Sequence, residues 1–527
     1  MYDILIKNAN IYNGTGDEAF FSNIMIKDGI IAKIGDAESA FYEIDADGLV
    51  VSPGFIDPHT HYDNTVLYDK QIINCISQGV TTIITGLCGL GLVPSRKEDI
   101  SKLNRLNSGM VDYRENFEYH VANMKEYLHY ADGAAVNVSG AVAHIPLRVY
   151  ATGGFHNVAY EQIAEKMKAV LRENIDMGAI GLSIGLDYFP THSSLIANRE
   201  LIDLCRVLKE KNAVLLAHVR PSENGLDGEK EVCEVAKQTG VRAHILHTRT
   251  TYPGTCGRPN LFTDIFENAI CAGADISVET YPYYGGQTYG IYYLPLWAQV
   301  GEPEEILERI NIPQNKKIIA EILTDNYEKL VYYKPGRFAY VKNHPEYEGR
   351  SFECIAENRG QTIGEMMIDV LIESELEVSI TSADGMQDPT INKQLLDDLM
   401  YLLQKDYYTI GSDSMNCGSM THPRAFGSFA KVLRLTREYD LSLEKTIYKI
   451  TKFNADRFGF EGRGHIQVGK AADIAIFDYA NVCDKASYEM ARACADGIKW
   501  VIVNGQIALA NGKATGIFAG RSLKRSS

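Results

Sequence analysis

The chain is short of basic residues, paired cysteines, long apolar runs and nucleotide-binding signatures, and each shortage closes off a class of function. Lys and Arg number 52 against 68 Asp and Glu, a formal net charge of −16 over 527 residues. Wide contact with nucleic acid or an anionic membrane needs basic surface, so neither partner is expected. Ten cysteines are scattered, at 75, 88, 205, 233, 256, 271, 354, 417, 483 and 494, with no Cys-x-x-Cys and no secreted-domain spacing. They read as reduced and mostly buried thiols of a cytoplasmic protein. The opening Met1-Tyr2-Asp3-Ile4-Leu5-Ile6-Lys7 has no basic region followed by a long apolar one. No stretch approaches the ~18 uninterrupted apolar residues of a membrane span. No Gly-x-Gly-x-x-Gly follows a strand-like run and there is no phosphate loop, so dinucleotide and NTP sites lack support. What remains is a soluble, cytoplasmic enzyme for a small molecule, with self-association into a homo-oligomer left open.

The chain does have a long alternation of elements. Its length exceeds one simple core, so a large domain with an appendage, or two to three domains, is expected. Short alternating runs open it, among them Asn23-Ile24-Met25-Ile26-Lys27 and Ile30-Ile31-Ala32-Lys33-Ile34, with the hairpin signal Asp28-Gly29 between them. The same texture returns in Ala472-Asp473-Ile474-Ala475-Ile476-Phe477 and Trp500-Val501-Ile502-Val503. Residues 1–53 and 461–527 are expected to pair into one small β-sandwich, since short β segments alone bury too little surface. Between them, over 54–460, apolar runs such as Thr81–Thr85, Ala179–Ser183, Ala213–Ala217, Ala243–Leu246 and Tyr408–Gly411 alternate with helical patterns. That predicts an α/β fold of parallel strands under covering helices, and the number of units favours a (β/α)8 TIM-like barrel over an open sheet. The stretch 287–350, rich in Tyr, Pro and charge, breaks the alternation and reads as an insertion at the active-site end, with the makeup of a lid.

The chemistry gathers at the predicted strand ends. In Gly54-Phe55-Ile56-Asp57-Pro58-His59-Thr60-His61, two histidines at i, i+2 share one face of an extended segment. The next strand runs into Cys88, two later ones end at His218 and His247, and the last ends at Asp413. His61 to Cys88 is 27 positions and His218 to His247 is 29. Each is about one β-loop-α-loop unit of ~30 residues, which would deliver neighbouring ligands to one rim. Taken alone, Cys88 reads as a small buried hydrophobe, either of His218 and His247 as a core histidine, and Asp413 as a turn or cap residue. Five metal-compatible side chains at strand ends together predict a metal site. His244 is the weaker alternative to His247, because alternation turns it away from the rim. His120, His129, His156, His192, His344 and His465 fall in helical or loop contexts and receive no role.

With these residues in view, the sequence resembles the N-acyl-D-amino-acid deacylases (D-aminoacylases) of the amidohydrolase superfamily over almost its whole length. The matching segments are the His59/His61 motif, Cys88-Gly89, Gly181-Leu182-Ser183-Ile184-Gly185-Leu186-Asp187-Tyr188-Phe189-Pro190, His218-Val219-Arg220 and Tyr281-Pro282-Tyr283. Further along come Gly411-Ser412-Asp413, His422-Pro423-Arg424-Ala425-Phe426-Gly427 and Gly464-His465-Ile466-Gln467-Val468-Gly469-Lys470-Ala471-Ala472-Asp473. The resemblance implies zinc-dependent hydrolysis of the amide bond of N-acyl-D-amino acids, giving a carboxylate and a free D-amino acid. It makes Cys88, His218 and His247 the ligands of one tight zinc. His59 and His61 would serve a second, weaker position sharing Cys88, with Asp413 the catalytic carboxylate. Many relatives in the superfamily use a carboxylated lysine on the fourth strand; Ala179-Ile180-Gly181-Leu182-Ser183 has none, and Cys88 is the natural substitute. For the substrate's carboxylate the expected donors are Arg424 and Arg249, with Tyr188 and Tyr283, and His144 also lies where substrate would be held. Three positions depart from the family pattern: Leu87 for Asn, Leu246-His247-Thr248-Arg249 for Ser-His-x-Lys, and Ala143-His144 for Gly-His. None removes a metal ligand. The alternatives are a cyclic-amide hydrolase like dihydroorotase or hydantoinase, and a non-catalytic scaffold on the same fold.

Overall fold

The computed structural model describes residues 1–189, 198–222, 224–251, 253–329, 334–382 and 388–525; Pro190 and His192 lie outside them. Eight parallel strands close into a barrel. They are β1 (Phe55–Asp57), β2 (Val80–Thr85), β3 (Asn137–Gly140, continued after Ala141 by Val142–Ala143) and β4 (Gly181–Gly185). β5 (Val214–His218), β6 (Arg242–Ile245), β7 (Asp275–Thr280) and β8 (Tyr408–Ile410) follow. Neighbours pair in parallel from β1 to β3 and from β3 to β8. The last seam closes where His61 N donates to Ser414 O at 2.8 Å and Asp413 N to His59 O at 2.9 Å. This is the barrel that the alternation predicted.

The strands form because each is a short branched or small apolar run, buried on both faces as a helix-covered parallel sheet requires. In β5 the residues Val214, Leu215, Leu216 and Ala217 are all buried. The covering helices read as one-sided: Tyr160–Asp176 buries Tyr160, Ile163, Met167, Val170, Leu171 and Asn174, one stripe at helical spacing. The end of the chain adds a backbone seam to the barrel. Val138 N donates to Arg521 O at 3.1 Å, and Leu523 N donates to Val138 O at 2.8 Å, along the edge of β3 opposite β2.

The two ends of the chain build one nine-stranded sheet. Its joint is Val50–Pro53, antiparallel to Ile474–Phe477 and parallel to Asn10 and Ile11. The sheet folds over an isoleucine-rich core that includes Ile6, Ile26, Ile44, Ile474 and Ile502. Tyr42 from one arm meets Trp500 from the other edge-on, ring centroids 6.0 Å apart.

Between β7 and β8 the chain makes a long excursion. Gln287–Tyr289, Arg337–Val341 and Val378–Thr381 form an antiparallel three-stranded sheet with the last strand central. This sheet is completed well beyond Arg350, because its central strand comes last in sequence. Helices Pro303–Asn311, Pro313–Lys329, Phe352–Arg359 and Ile363–Glu373 pack with it. Their apolar core is continuous with Leu87, Cys88, Tyr188 and Leu246 at the barrel mouth, so the excursion is seated on the site. Among the described residues no helix is long and apolar enough to cross a membrane.

Candidate metal centre

Two groups of donors meet at the C-terminal rim of the barrel: His59, His61 and Cys88, and Cys88, His218 and His247, each within 4.8 Å. The spacings are near those of ligands gathered around small cations, the His247–His218 approach being the shortest. Cys88 Sγ lies 3.3 Å from His59 Nε2 and 3.7 Å from His247 Nε2. His59 Nε2 lies 3.4 Å from His61 Nε2, and His247 Nε2 lies 2.9 Å from His218 Nδ1. Tetrahedral zinc with Zn–N of ~2.0–2.1 Å and Zn–S of ~2.3 Å places neighbouring ligand atoms ~3.3–3.7 Å apart. Cys88 belongs to both groups. The donor set of imidazoles plus one thiolate suits zinc.

The strand ends aim these groups by an unusual backbone. Cys88, His247 and Asp413 are non-glycine residues with positive φ, at 53°, 39° and 49°. Such conformations cost about 1–3 kcal/mol each and persist where surrounding bonds impose them. Here the Asp413 N–H is held by the His59 carbonyl, and the His247 N–H is held by Glu279 Oε1 at 2.7 Å. Each turn swings a side chain across the mouth immediately after its strand ends.

Asp413 completes the centre. Its Oδ1 is 3.3 Å from His59 Nε2 and 3.2 Å from His61 Nε2, and its Oδ2 pairs with Arg424 Nη1 at 2.8 Å. Burial would raise its pKa, but Arg424 and His59 outweigh that and hold the carboxyl well below its usual range. Burial opposes ionisation of Cys88 as well, yet the His59, His218 and His247 imidazoles hold the thiol well below its ordinary value. His218 is raised to about 10, burial being overcome by Asp187 and Cys88. The pocket thus favours positive charge among its negative groups. A cavity of about 400 Å³ opens over the centre, lined by Cys88, Tyr188, His218, His247, Asp413 and Arg424 among others.

Comparison with known proteins agrees with this arrangement. The model of the Amidohydrolase family matches residues 42–509. The chain belongs to that family. Among curated relatives, the D-aminoacylase of Alcaligenes xylosoxydans xylosoxydans is 29% identical over 532 residues, covering 99% of this chain and 98% of that protein. The crystal structure of N-acyl-D-glutamate deacylase from Bordetella bronchiseptica, complexed with zinc and a phosphonate mimic of the tetrahedral intermediate, superposes with a TM-score of 0.80. It is 26% identical and covers 99% of both chains. A D-aminoacylase structure described by the role of its binuclear metal centre, with one-metal activation and second-metal attenuation, gives a TM-score of 0.80. It shares 28% identity over 100% of both chains.

In this amidohydrolase the predicted substrate residues divide. Arg424 lines the cavity, is buried, and holds Asp413 through Nη1, while its Nε and Nη2 have no partner among the described residues. Arg249 also lines the cavity and hydrogen-bonds Gly285 O. Both guanidinium carbons sit over the Tyr281 ring, at 4.2 Å for Arg249 and 4.4 Å for Arg424. Tyr188 faces the centre, its ring centroid 4.7 Å from that of His218. The other two donors are turned elsewhere. Tyr283 OH donates to Asp484 Oδ2 at 2.9 Å, drawn out of the barrel by that carboxylate, and Tyr281 takes the inward place. His144 is buried against Glu200 at 2.8 Å, where Arg148 completes a structural cluster, and does not line the cavity. His244 points away from the rim to Ser277 Oγ at 2.7 Å.

Two acids that sequence reasoning passed over stand behind the histidines. Glu279, fully buried near the end of β7, accepts from His59 Nδ1 at 2.7 Å. Asp187 lies 3.8 Å from His218 Nε2 and accepts from Tyr292 OH of the excursion at 2.6 Å. The signal for the first was a carboxylate on the rim-facing side of the otherwise uncharged run Ile276-Ser277-Val278-Glu279-Thr280. The second stood in the matched segment beside Tyr188.

Proposed function

We propose that this amidohydrolase hydrolyses the amide bond of N-acyl-D-amino acids, with zinc held by Cys88, His218 and His247 as the required ion. The observation that carries the reading is one cavity lined by Cys88, His218, His247, Asp413 and Arg424, with His59 and His61 buried within reach of Cys88 and Asp413. Zinc bound there supplies Lewis acidity to the amide carbonyl and to the attacking water. Asp413 takes the proton of the water as the C–O bond forms and delivers it to the leaving nitrogen as the C–N bond breaks. The products are a carboxylate and the free D-amino acid. Arg424 keeps Asp413 ionised through Nη1, and its guanidinium, which lines the cavity with Nε and Nη2 buried and unpartnered among the described residues, is the planar group to grip the substrate's α-carboxylate with two parallel hydrogen bonds. Tyr188, its phenol kept neutral by burial, is a donor on the opposite wall.

His59 and His61 form the weaker position. Asp413 Oδ1 lies within 3.3 Å of both, so a cation there shares the carboxylate that has to accept the proton. Occupancy of that position is expected to slow the reaction. Gly181–Gly185 contains no lysine to bridge two ions, which disfavours the cyclic-amide reading.

The test is a matched panel of N-acetyl D- and L-amino acids assayed with the zinc-loaded protein, beside hydantoin and dihydroorotate. Release of D-amino acids alone is expected. Hydrolysis of the cyclic amides with none of the N-acetyl-D-amino acids would replace this reading with the alternative.

A further inference from the structure

Glu279 touches three strand ends that carry the centre. Its Oε1 accepts from His59 Nδ1 after β1 at 2.7 Å, and from the His247 backbone N–H after β6 at 2.7 Å. Its Oε2 lies 2.4 Å from where a Cβ on Gly411 would stand, just past β8 and two residues before Asp413. Only the missing side chain of Gly411 leaves room for this carboxylate. The residue is wholly buried and placed on β7, between β6 and β8 in the barrel order.

Each contact has a chemical consequence. A carboxylate only accepts, so His59 presents Nδ1–H to Glu279 and its Nε2 lone pair toward Cys88 and His61. The same oxygen restrains the His247 N–H, and the Glu279 carbonyl accepts from Thr248 N at 3.0 Å, so both ends of the positive-φ turn at His247 are tied to β7. One group therefore orients a side chain in the first donor group and the backbone under a side chain in the second.

We infer that Glu279 is a positioning residue shared by the two metal positions, setting His59 through its ring and His247 through its main chain. This rests on the metal reading above. It means that the two affinities are not independent: a change at Glu279 moves both, by two separable routes. Glu279→Gln keeps an acceptor for the His247 N–H but removes the charge facing His59. Glu279→Ala removes both. Gly411→Ala pushes the intact carboxylate out of place.

The test titrates chelator-treated protein with Cd2+, following the thiolate-to-metal absorption of Cys88 and the bound stoichiometry, with melting curves to verify folding. Wild type is expected to bind a tight and then a weaker equivalent. Glu279→Gln should weaken the second equivalent ~10–100-fold, the usual scale for an outer-shell partner, and leave the first within a few-fold. Glu279→Ala should weaken both, and Gly411→Ala should do the same should the alanine variant at 279 not fold. An unchanged second equivalent in Glu279→Gln would overturn the inference. So would an unchanged first equivalent in folded Glu279→Ala or Gly411→Ala. A wild type with no thiolate-to-metal band would overturn the metal assignment itself, and this inference with it.

Discussion

At the scale of single residues, Asp413 and Cys88 separate the proton's path from the ion's. Asp413→Asn keeps the shape but cannot take a proton, so kcat is expected to fall at least ~10²-fold with zinc content unchanged. Cys88→Ala removes the donor common to both groups, and elemental analysis should find the tight zinc lost. Arg424 holds Asp413 through Nη1, and the substrate role proposed for the rest of its guanidinium can be tested separately. Arg424→Lys retains a charge beside Asp413 but not the fork. It should hold kcat within about tenfold while raising KM at least tenfold for N-acetyl-D-amino acids and hardly at all for their amides, about 1.4 kcal/mol of carboxylate binding. Equal KM changes on both substrates would assign the Arg424 guanidinium to structure alone. The convergence of His59, His61, Cys88, His218, His247 and Asp413 was legible in the chain because each falls at the end of a strand-like run, with His61 to Cys88 and His218 to His247 each about one barrel unit apart. Glu279 and the Arg424–Asp413 pair were not, since a lone acid in a strand or an arginine at a helix start has no spacing partner to mark it. Tyr283 and Tyr281 share a motif, and only the strand's final twist decides which of them faces inward.

At the scale of elements, the helix Leu443–Ile450 shows how a charge is used as a fastener. Lys449 Nζ donates to Lys405 O and to Tyr408 O, tying the helix to the loop that enters β8. Burial lowers its pKa to about 8. A lysine depressed in the folded state binds fewer protons there than in the unfolded chain between about pH 8 and 10.5, so its contribution to stability rises with pH across that window. Lys449→Met lacks that rise. Its melting temperature relative to wild type should therefore drop steadily from pH 8 to pH 10, as thermal denaturation at each pH will show. A constant difference would mean that Lys449 titrates normally. The excursion after β7 was the element least readable in advance. Its tyrosines and prolines marked where it starts, but its sheet closes only with Val378–Thr381, an ordinary β-branched run indistinguishable from a barrel strand by pattern.

At the scale of the whole molecule, the barrel and the pairing of the chain ends followed from the alternation of elements and the return of short β runs. The last backbone seam did not, because residues 519–523 have no strand pattern of their own. Val138 is wholly buried, and both its N–H and its carbonyl are satisfied by that segment. Deleting residues 519–527 leaves both groups unpaired at about 1–3 kcal/mol each, so the melting temperature should fall by several degrees with zinc binding retained in the folded fraction. A full-length melting temperature in the truncated protein would show that the edge finds another partner.

That seam also sets a timetable. Ser139 on β3 bonds Leu523 across 384 positions of sequence. At the ~5–20 residues per second of protein synthesis, the edge of β3 waits on the order of 20–80 s for its partner. Throughout that interval a nascent chain carries a strand edge with unpaired backbone N–H and C=O groups, the kind of surface on which chains join one another. The molecule's weakest moment is thus in its making, and slower translation or crowded expression should cost yield of soluble protein before it costs anything in the finished enzyme.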